Sequence, residues 1–255
     1  MDRGVKLARL PDGTPEIFHT LQGEGASIGT PAVFIRASRC NLHCTWCDTD
    51  YTWNWEGTPW PHQRDADPGY RKFQRDAQTV VIDPAEIAAI VRKFPCKRLV
   101  LTGGEPLLQQ RDWIAVLAEL NTPEGRYAVE VETNGTLVPL PELAASVTQY
   151  NVSPKLDNSG NSRDLRVVPE ALRWFAGAPN AWLKFVVAAP GDLDEVLALI
   201  EEFAIPREKV ILMPEGRDPA SLEKSRHWLA DICRDRDFRF SDRLHVHLWG
   251  AARAR

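Results

Sequence analysis

Apolar, β-branched runs alternate along the chain with segments whose apolar residues recur at helical spacing. Such short runs are typical of buried strands. They predict strands over residues 32–37, 98–102, 127–133, 149–152, 182–187, 210–213 and 244–248. Strands that alternate with helices indicate a parallel sheet with right-handed crossovers. Seven strands are too few for a closed eight-stranded barrel, so the pattern predicts an α/β fold, a partial (open) TIM-like barrel of parallel strands with outer helices.

The helical segments carry their own start signals. The segment DPAEIAAIVRKF, residues 83–94, has Asp83 as N-cap and Pro84 at the first helical position. Its apolar residues follow the i, i+3, i+4, i+7 spacing of an amphipathic helix. Residues 218–233 begin in the same way, with an aspartate and a proline. Further helices are predicted over residues 111–120, 141–145, 169–176 and 192–203.

Glycine, carboxylate and lysine residues follow the predicted strands. TGGEP comes after the second strand, ETNGT after the third, SPK after the fourth and MPEG after the sixth. The loops that follow the strands of a parallel α/β barrel open on one face, where active sites lie. The order of these segments therefore predicts a site at one end of the barrel.

Length and charge exclude several classes of function. The 255 residues are enough for one large domain, and residues 1–255 are expected to form a single one. The net charge of −4 gives no basic field that would attract nucleic acid or a membrane surface. No apolar run approaches the roughly 18 residues of a membrane span. The first residues lack the apolar core of a signal peptide, so we expect a cytoplasmic protein with no nucleic-acid or membrane partner.

Three of the five cysteines, Cys40, Cys44 and Cys47, follow the first predicted strand with the spacing C-x3-C-x2-C. In a reducing compartment, clustered cysteines are more often metal ligands than disulfides. Three thiolates can hold three corners of a 4Fe–4S cluster and leave one iron open, whereas an electron-transfer cluster normally has four cysteines. The alternative is a structural zinc site completed by His43 or His62. Zinc ligands usually come as two separated pairs, which argues for the cluster.

The residues around these cysteines resemble a known family. The spacing with Trp46 before the last cysteine is similar to the signature of radical S-adenosylmethionine (radical SAM) enzymes, and LTGGEPLL resembles their Gly-Gly-Glu-Pro segment. TLQGEG, CDT, VETNGT, NVSPK, LKFVV and RLHVHLWG occur in the same order as in the 7-carboxy-7-deazaguanine synthase family. The resemblance extends from Glu16 to Gly250, and TLQGEG together with CDT is more specific than the cysteines alone.

The resemblance implies a lyase that uses a 4Fe–4S cluster, S-adenosyl-L-methionine and Mg²⁺. In this family a 5′-deoxyadenosyl radical abstracts a hydrogen atom from 6-carboxy-5,6,7,8-tetrahydropterin. Ring contraction and loss of ammonia then give 7-carboxy-7-deazaguanine, in 7-deazapurine (queuosine-type) biosynthesis. A homodimer and a reductant such as a flavodoxin or ferredoxin are also implied. The rival hypotheses are another small radical SAM enzyme, such as a glycyl-radical activase, and a non-enzymatic zinc- or cluster-binding module.

Residue roles follow from the same resemblance, position by position. Cys40, Cys44 and Cys47 are the implied cluster ligands, and Thr49 is the implied Mg²⁺ ligand. The implied contacts to S-adenosylmethionine are Trp46, Cys47, Asp48, Gly103, Gly104, Glu105, Ser153, Pro154 and Lys155. The implied substrate contacts are Leu21, Gln22, Gly23, Arg36, Thr102 and His245, with the planar fork of the arginine gripping a carboxylate.

Several of these positions have structural alternatives. They are a surface position for Arg36, an ion pair for Lys155, packing at the barrel mouth for Glu105 and Glu132, and a hydrogen bond within its own turn for Glu24. His247 shares the predicted strand face with His245, so either histidine could reach the substrate.

A variable insertion is expected at about residues 51–80. It contains three tryptophans and three prolines among many charged residues, a mixture that does not predict a helix. Aromatic residues beside an active-site loop favour a lid over the cluster or a contact between subunits.

Overall fold

The computed structural model describes residues 4–122, 125–250 and 252–255. Ten strands within these residues belong to one mixed sheet. The strands are β1 (Val5–Ala8), β2 (Ile17–Leu21), β3 (Pro31–Ala37), β4 (Thr79–Ile82), β5 (Arg98–Gly103), β6 (Ala128–Thr133), β7 (Gln149–Val152), β8 (Ala181–Val187), β9 (Val210–Pro214) and β10 (Arg239–Phe240).

Nine α-helices lie in the same described ranges. They are α1 (Arg75–Gln78), α2 (Pro84–Val91), α3 (Gln110–Leu120), α4 (Pro141–Ala144), α5 (Arg163–Arg166), α6 (Pro169–Gly177), α7 (Asp192–Phe203), α8 (Pro219–Arg236) and α9 (Leu244–Trp249). The predicted cap of α2 is confirmed, because the Asp83 carboxylate accepts a hydrogen bond from the Ala85 amide at 2.8 Å. None of the described helices has the length and apolar content that a membrane crossing requires.

The strands from β3 to β10 in the order β3-β5-β6-β7-β8-β9-β10 are all parallel. On the other side of β3, β1 and β2 pair with it antiparallel, and β4 pairs antiparallel with β1. In the described residues the end strands β10 and β4 do not pair with each other. The predicted open α/β barrel is therefore confirmed.

Alternation along the strands separates the helix-facing core from the barrel interior. Val33 and Ile35 of β3 are fully buried in the main hydrophobic core, together with helix residues such as Trp113. Phe34 and Arg36 alternate with these two residues along β3, point to the opposite face and line an interior cavity. Because successive strand residues point to opposite faces, this register places polar side chains inside the barrel.

One predicted strand is wrong. Residues 244–248 form most of α9, not a strand. The alternation His-Val-His has the two-residue period of a strand, but β10 already pairs with β9 at that edge of the sheet. The segment instead turns back towards the start of the chain, where the Leu244 amide donates to the Gly23 carbonyl at 2.9 Å. The strands β1, β2, β4 and β10 were not predicted.

Candidate functional site

A cavity opens at the carboxyl ends of the parallel strands, as the order of the motifs predicts. Most of the residues implied in binding line it: Leu21, Gln22, Gly23, Arg36, Cys40, Cys44, Trp46, Cys47, Asp48, Thr49, Thr102, Gly103, Gly104, Ser153, Lys155 and His245. Glu105 and Pro154 are the two implied residues that are absent from the lining. The fold therefore brings together segments that lie more than two hundred residues apart in the chain.

The three clustered cysteines share this cavity and are free thiols. The Asn161 amide nitrogen donates to the Cys44 sulfur at 3.4 Å, and the Asn134 amide nitrogen lies 4.0 Å from the Cys40 sulfur. Burial raises the pKa of all three thiols, that of Cys47 to about 12. Metal binding would have to displace these protons.

Donors next to the cysteine sulfurs, in one shared cavity, fit a 4Fe–4S cluster held on three sides. Hydrogen bonds to ligand sulfur are among the means by which proteins tune such clusters. Among the residues that the structure describes, no three His, Cys, Asp or Glu side chains are grouped so that they could hold a metal ion. The fit to the cluster consequently depends on the shared cavity and the amide donors.

The two histidines that could complete a zinc site are engaged elsewhere. The His43 ring stacks on Trp60 with centroids 3.4 Å apart. His62 bonds through Nε2 to the Cys47 carbonyl oxygen at 2.8 Å, and its Nδ1 accepts from the Arg64 amide at 3.2 Å. Both ring nitrogens of His62 are thus used, and neither histidine is arranged as a fourth ligand.

Trp46, Ser153 and Lys155 form one wall of the cavity. The Lys155 ammonium donates to the Ser153 hydroxyl at 3.0 Å and lies 5.4 Å from the Trp46 ring centroid. The Trp46 indole donates to the Asn158 carbonyl at 3.0 Å. Lys155 forms no ion pair with any described residue, so its cation is available to a ligand, unlike the structural pair considered as an alternative.

Gly104 is required by the cysteine loop itself. A Cβ at this position would lie 2.0 Å from the Arg39 carbonyl oxygen, and one at Gly103 would lie 2.1 Å from the Ala37 carbonyl oxygen. Both contacts are to backbone, which cannot move aside. The double glycine thus lets β5 approach the chain that leads into Cys40.

Glu105 does not face the cavity. Its carboxylate accepts from the amides of Leu107 at 3.0 Å and Asn134 at 2.7 Å and from the Thr133 hydroxyl at 2.8 Å. Burial raises the pKa of this carboxyl group despite those donors. This arrangement corresponds to the packing alternative, since it joins the loops after β5 and β6.

Arg36 and Thr102 occupy paired positions on β3 and β5. Arg36 donates through Nε to the Glu16 carboxylate at 2.8 Å and lines the cavity, which contradicts a plain surface position. The Thr102 hydroxyl donates to Glu132 at 2.6 Å, and the Gln22 amide donates to the same carboxylate at 3.0 Å. Glu132 lines the cavity, and burial, with the Glu24 charge, raises the pKa of its carboxyl group.

An ionic network that the sequence did not predict lines part of the cavity. The Glu24 carboxylate pairs with Lys184 at 2.5 Å and with Arg243 Nε at 2.9 Å, and Arg243 also pairs with Asp48. Burial by itself would raise the pKa of Glu24, but the two cations outweigh it and hold the pKa well below its usual value. Glu24 therefore reaches across the barrel and is not confined to its own turn.

The motifs contained a signal for this network. Lys184 lies in LKFVV and Arg243 opens RLHVHLWG, two segments already matched to the family. Their mutual contact could not be inferred, because Glu24 and Arg243 are separated by 219 residues.

The two histidines of α9 are separated by the helix. His245 lines the cavity and packs against Gly23. A Cβ at Gly23 would lie 2.1 Å from His245 Nδ1. His247 bonds to the Asp242 carboxylate at 3.1 Å and does not line the cavity. The prediction that the two histidines share a strand face is wrong, because the segment is a helix. The prediction that His245 is the one nearer the substrate agrees with its position in the cavity lining.

The comparisons with known proteins agree with the geometry. A family model described as the Radical SAM superfamily matches residues 34–158. A 7-carboxy-7-deazaguanine synthase from Pyrobaculum aerophilum is 35% identical, over 94% of this chain and 96% of its own. One from Halobacterium salinarum is 36% identical, over 93% of this chain and 90% of its own.

The fold has a solved counterpart in the crystal structure of QueE from Escherichia coli. The TM-score is 0.62 at 23% identity, with 94% of this chain and 95% of that chain covered. Similarity to the two relatives over nearly the whole of each chain, together with the shared cavity of the three cysteines and the TLQGEG segment, identifies the family. The chain belongs to the 7-carboxy-7-deazaguanine synthase family of the radical SAM superfamily.

Proposed function

We propose that this radical SAM enzyme converts 6-carboxy-5,6,7,8-tetrahydropterin to 7-carboxy-7-deazaguanine with loss of ammonia. The observation that carries the proposal is the convergence of Cys40, Cys44 and Cys47 with the Gln22 segment and Arg36 on one cavity. When bound, the cluster and S-adenosylmethionine supply one-electron chemistry that removes a hydrogen atom from carbon. The residues of the chain bind, orient and shield the reacting groups.

On the cofactor side, we assign the three thiolates to the cluster and the wall of Trp46 and Lys155 to S-adenosylmethionine. The Lys155 cation lacks a protein carboxylate partner in the described residues, which suits contact with an anionic group of a ligand. A fixed donor of this kind needs no rearrangement when the ligand arrives.

On the substrate side, Arg36 is proposed to bind the carboxylate of the pterin. Its Nε is held by Glu16, so the guanidinium is already oriented when the ligand binds. Gln22, Thr102 and Glu132 form a connected row of donors and acceptors that suits the hydrogen-bonding edge of a pterin. His245 also lines the cavity and is proposed to contribute one further polar contact.

Mg²⁺ is the third proposed cofactor, with Thr49 as its protein ligand. The Thr49 hydroxyl lines the cavity and lies 3.5 Å from the Gly103 carbonyl oxygen. A hydroxyl and substrate oxygens are hard donors of the kind that Mg²⁺ prefers. The ion is proposed to hold the substrate carboxylate during the ring rearrangement, a template role that requires no proton transfer.

Further proposals concern organisation and partners. We propose a single catalytic domain, supported by the membership of all ten described strands in one sheet. A homodimer and electron supply by a flavodoxin- or ferredoxin-type reductant are proposed from the family. Light scattering of the purified protein tests the dimer, and reduction of the reconstituted protein by each donor tests the second point.

The decisive experiment is anaerobic turnover with a reductant, S-adenosylmethionine, MgCl₂ and the carboxytetrahydropterin. We expect 7-carboxy-7-deazaguanine, ammonia and 5′-deoxyadenosine as products. 5′-Deoxyadenosine without a deazapurine would indicate a sister enzyme with another substrate. A Cys44→Ala variant is expected to be colourless and inactive, and full activity of that variant would contradict the cluster assignment.

A further inference from the structure

The insertion packs behind the cysteine loop and not over the cavity. Of residues 51–80, all of which the structure describes, only Trp53 lines the cavity. We call residues 50–73 the clamp segment and residues 40–49 the cysteine loop. The Thr52 carbonyl accepts from the Arg39 amide at 2.9 Å, immediately before Cys40. The clamp segment thus starts by bonding to the entrance of the loop it follows.

The clamp segment also bonds to the middle and the end of the cysteine loop. The Gln63 amide donates to the Thr45 carbonyl at 2.8 Å. His62 bonds through Nε2 to the Cys47 carbonyl at 2.8 Å. These two carbonyls flank the last cysteine turn, so the bonds fix the peptide planes from which Cys47 and Asp48 project.

The hydrogen bonds of His62 assign a role to each ring nitrogen. Nδ1 accepts from the Arg64 amide at 3.2 Å, so Nδ1 is the unprotonated nitrogen. Nε2 then bears the hydrogen and donates to the Cys47 carbonyl oxygen. The ring therefore makes two hydrogen bonds, one that caps its own turn and one that holds the cysteine loop.

His62 is itself held rigidly. Its side chain is fully buried, and the His62 amide donates to the Asp65 carboxylate at 2.9 Å. Its ring packs against Trp53 and Tyr70, with centroids 6.1 and 6.3 Å away. The Tyr70 hydroxyl in turn donates to the Asp50 carboxylate at 2.8 Å.

A second contact grips the first half of the loop. The His43 ring, next to Cys44, lies against Trp60 at a centroid distance of 3.4 Å and an angle of 4°. It also meets the edge of Trp53 at 5.1 Å. Trp60 is 37% exposed, and its stack on the His43 ring is the contact that joins it to the cysteine loop.

We propose that the clamp segment fixes the cysteine loop in its ligating conformation before any cluster binds, with His62 as the positioning residue for Cys47. This inference rests on the proposed function in one respect, because it takes the three cysteines as cluster ligands. Residues that bind a metal or ligand need surrounding groups that hold them rigidly in position. Without the clamp segment, the loop would have to pay its ordering entropy when the cluster is inserted.

Two amide substitutions separate the two tasks of His62. In His62→Gln the side-chain amide nitrogen occupies the region of Nε2 and can donate to the Cys47 carbonyl, but the cap is lost. In His62→Asn the side-chain oxygen can cap the Arg64 amide, but the nitrogen is too short to reach Cys47. The measurement is backbone amide hydrogen exchange in residues 45–49 of the protein without cluster, which requires neither cofactor nor substrate.

The proposal predicts faster exchange in His62→Asn, by about fivefold for one lost hydrogen bond, and nearly wild-type exchange in His62→Gln. Faster exchange in His62→Gln with wild-type exchange in His62→Asn would show that the cap, not the donor to Cys47, matters. Equal acceleration in both variants would show that the ring itself matters, and either result would overturn the role of the donor. Unchanged exchange in both would also overturn the proposal. Because the readout is independent of turnover, an enzyme with a different substrate would leave this result standing.

A tryptophan pair provides a second test that does not disturb a buried residue. Trp60→Leu removes the stack on His43, whereas Trp249→Leu changes a residue of α9 with nearly the same exposure, 36% against 37%. We expect faster hydrogen exchange in residues 40–44 for Trp60→Leu and a wild-type exchange rate there for Trp249→Leu. After reconstitution, Trp60→Leu should also show an altered electron paramagnetic resonance signal of the reduced cluster. Identical behaviour of the two variants would contradict a clamp.

Discussion

Arg36 and Glu16 are joined by a 2.8 Å hydrogen bond from Nε to the carboxylate, at the point where β3 reaches the cavity. Glu16 is fully buried and also accepts from the Tyr51 hydroxyl at 3.1 Å and from Arg253 Nη2 at 2.6 Å. Within the described residues the Nη groups of Arg36 make no hydrogen bond, so they are the part of the fork left for a ligand. The buried Glu16 carboxylate thus orients the Arg36 guanidinium at the cavity. It also balances the charge of Arg253, which does not line the cavity.

Glu16→Gln is expected to destabilise the protein by about 3 kcal/mol, because it leaves two partly buried guanidinium groups without their counter-charge. Urea unfolding of the cofactor-free protein at neutral pH measures the change. The matched control is Glu202→Gln, which breaks an exposed pair with Arg163 and should cost less than about 1 kcal/mol. Equal losses in the two variants would contradict the buried charge cluster.

The same substitution should change the pH dependence of stability. Burial alone would raise the pKa of Glu16, but Arg36 and Arg253 outweigh it and hold the pKa below its usual 4.5. A lowered pKa in the folded state means that the ionised carboxylate stabilises the fold above the unfolded-state pKa, and that this stabilisation is lost as the pH falls through the folded-state value.

We therefore expect the difference in unfolding free energy between wild type and Glu16→Gln to be constant near neutral pH and to shrink below about pH 4.5. Urea titrations across that range provide the measurement. A difference that grows on acidification would show that the carboxyl group is protonated in the native protein.

Gly104→Ala should prevent the cysteine loop from closing on β5, since the new Cβ would lie 2.0 Å from the Arg39 carbonyl oxygen. We expect a lower melting temperature and a loss of most of the iron bound on reconstitution. Gly177→Ala, at the end of α6 with no atom within 4 Å, is the control and should be neutral or stabilising by up to about 1 kcal/mol. Normal iron content in Gly104→Ala would show that the loop can shift.

Thr49→Val replaces the proposed Mg²⁺ ligand with a side chain of the same shape. We expect the MgCl₂ concentration for half-maximal turnover to rise about tenfold or more, while Thr49→Ser, which keeps the hydroxyl, stays near wild type. Turnover measured across a magnesium titration distinguishes them. If Thr49→Val keeps the wild-type magnesium dependence, the ligand lies elsewhere.

The two histidines of α9 make a matched pair. His245→Gln should lower kcat/KM about tenfold through a lost or misplaced hydrogen bond to the substrate. His247→Gln should leave it unchanged, since His247 bonds to Asp242 outside the cavity. Steady-state kinetics with saturating S-adenosylmethionine give the comparison, and equal effects would argue that α9 acts only through its packing.

The central strands were predictable because their buried residues form short apolar runs, such as LVL in β5 and FVV in β8. The segment RLHVHLWG was not, because its alternation fits a strand equally well and only the occupied sheet edge decides against it. Short edge strands such as β10, with two exposed residues, carry too little pattern to be recognised.

The site residues, like the strands, include some that the sequence predicts and some that it does not. Cys40, Cys44, Gln22 and Arg36 belong to compact motifs, so sequence order was enough to place them on one end of the barrel. The pairing of Glu24 with Lys184 and Arg243 depends on contacts across 160 and 219 residues, which no local pattern contains. Likewise, nothing in the letters of DYTW and WPHQR indicates that His62 reaches back to the Cys47 carbonyl.

The ion pair between Arg243 and Asp48 also has a consequence for biosynthesis. Asp48 adjoins the last cysteine, and its partner is made 195 residues later. The ribosome translates β3, the cysteine loop and the clamp segment long before Arg243, so this ion pair cannot form until residue 243 has been made. The part of the cavity wall that Arg243 contributes is therefore among the last parts of the site to be translated.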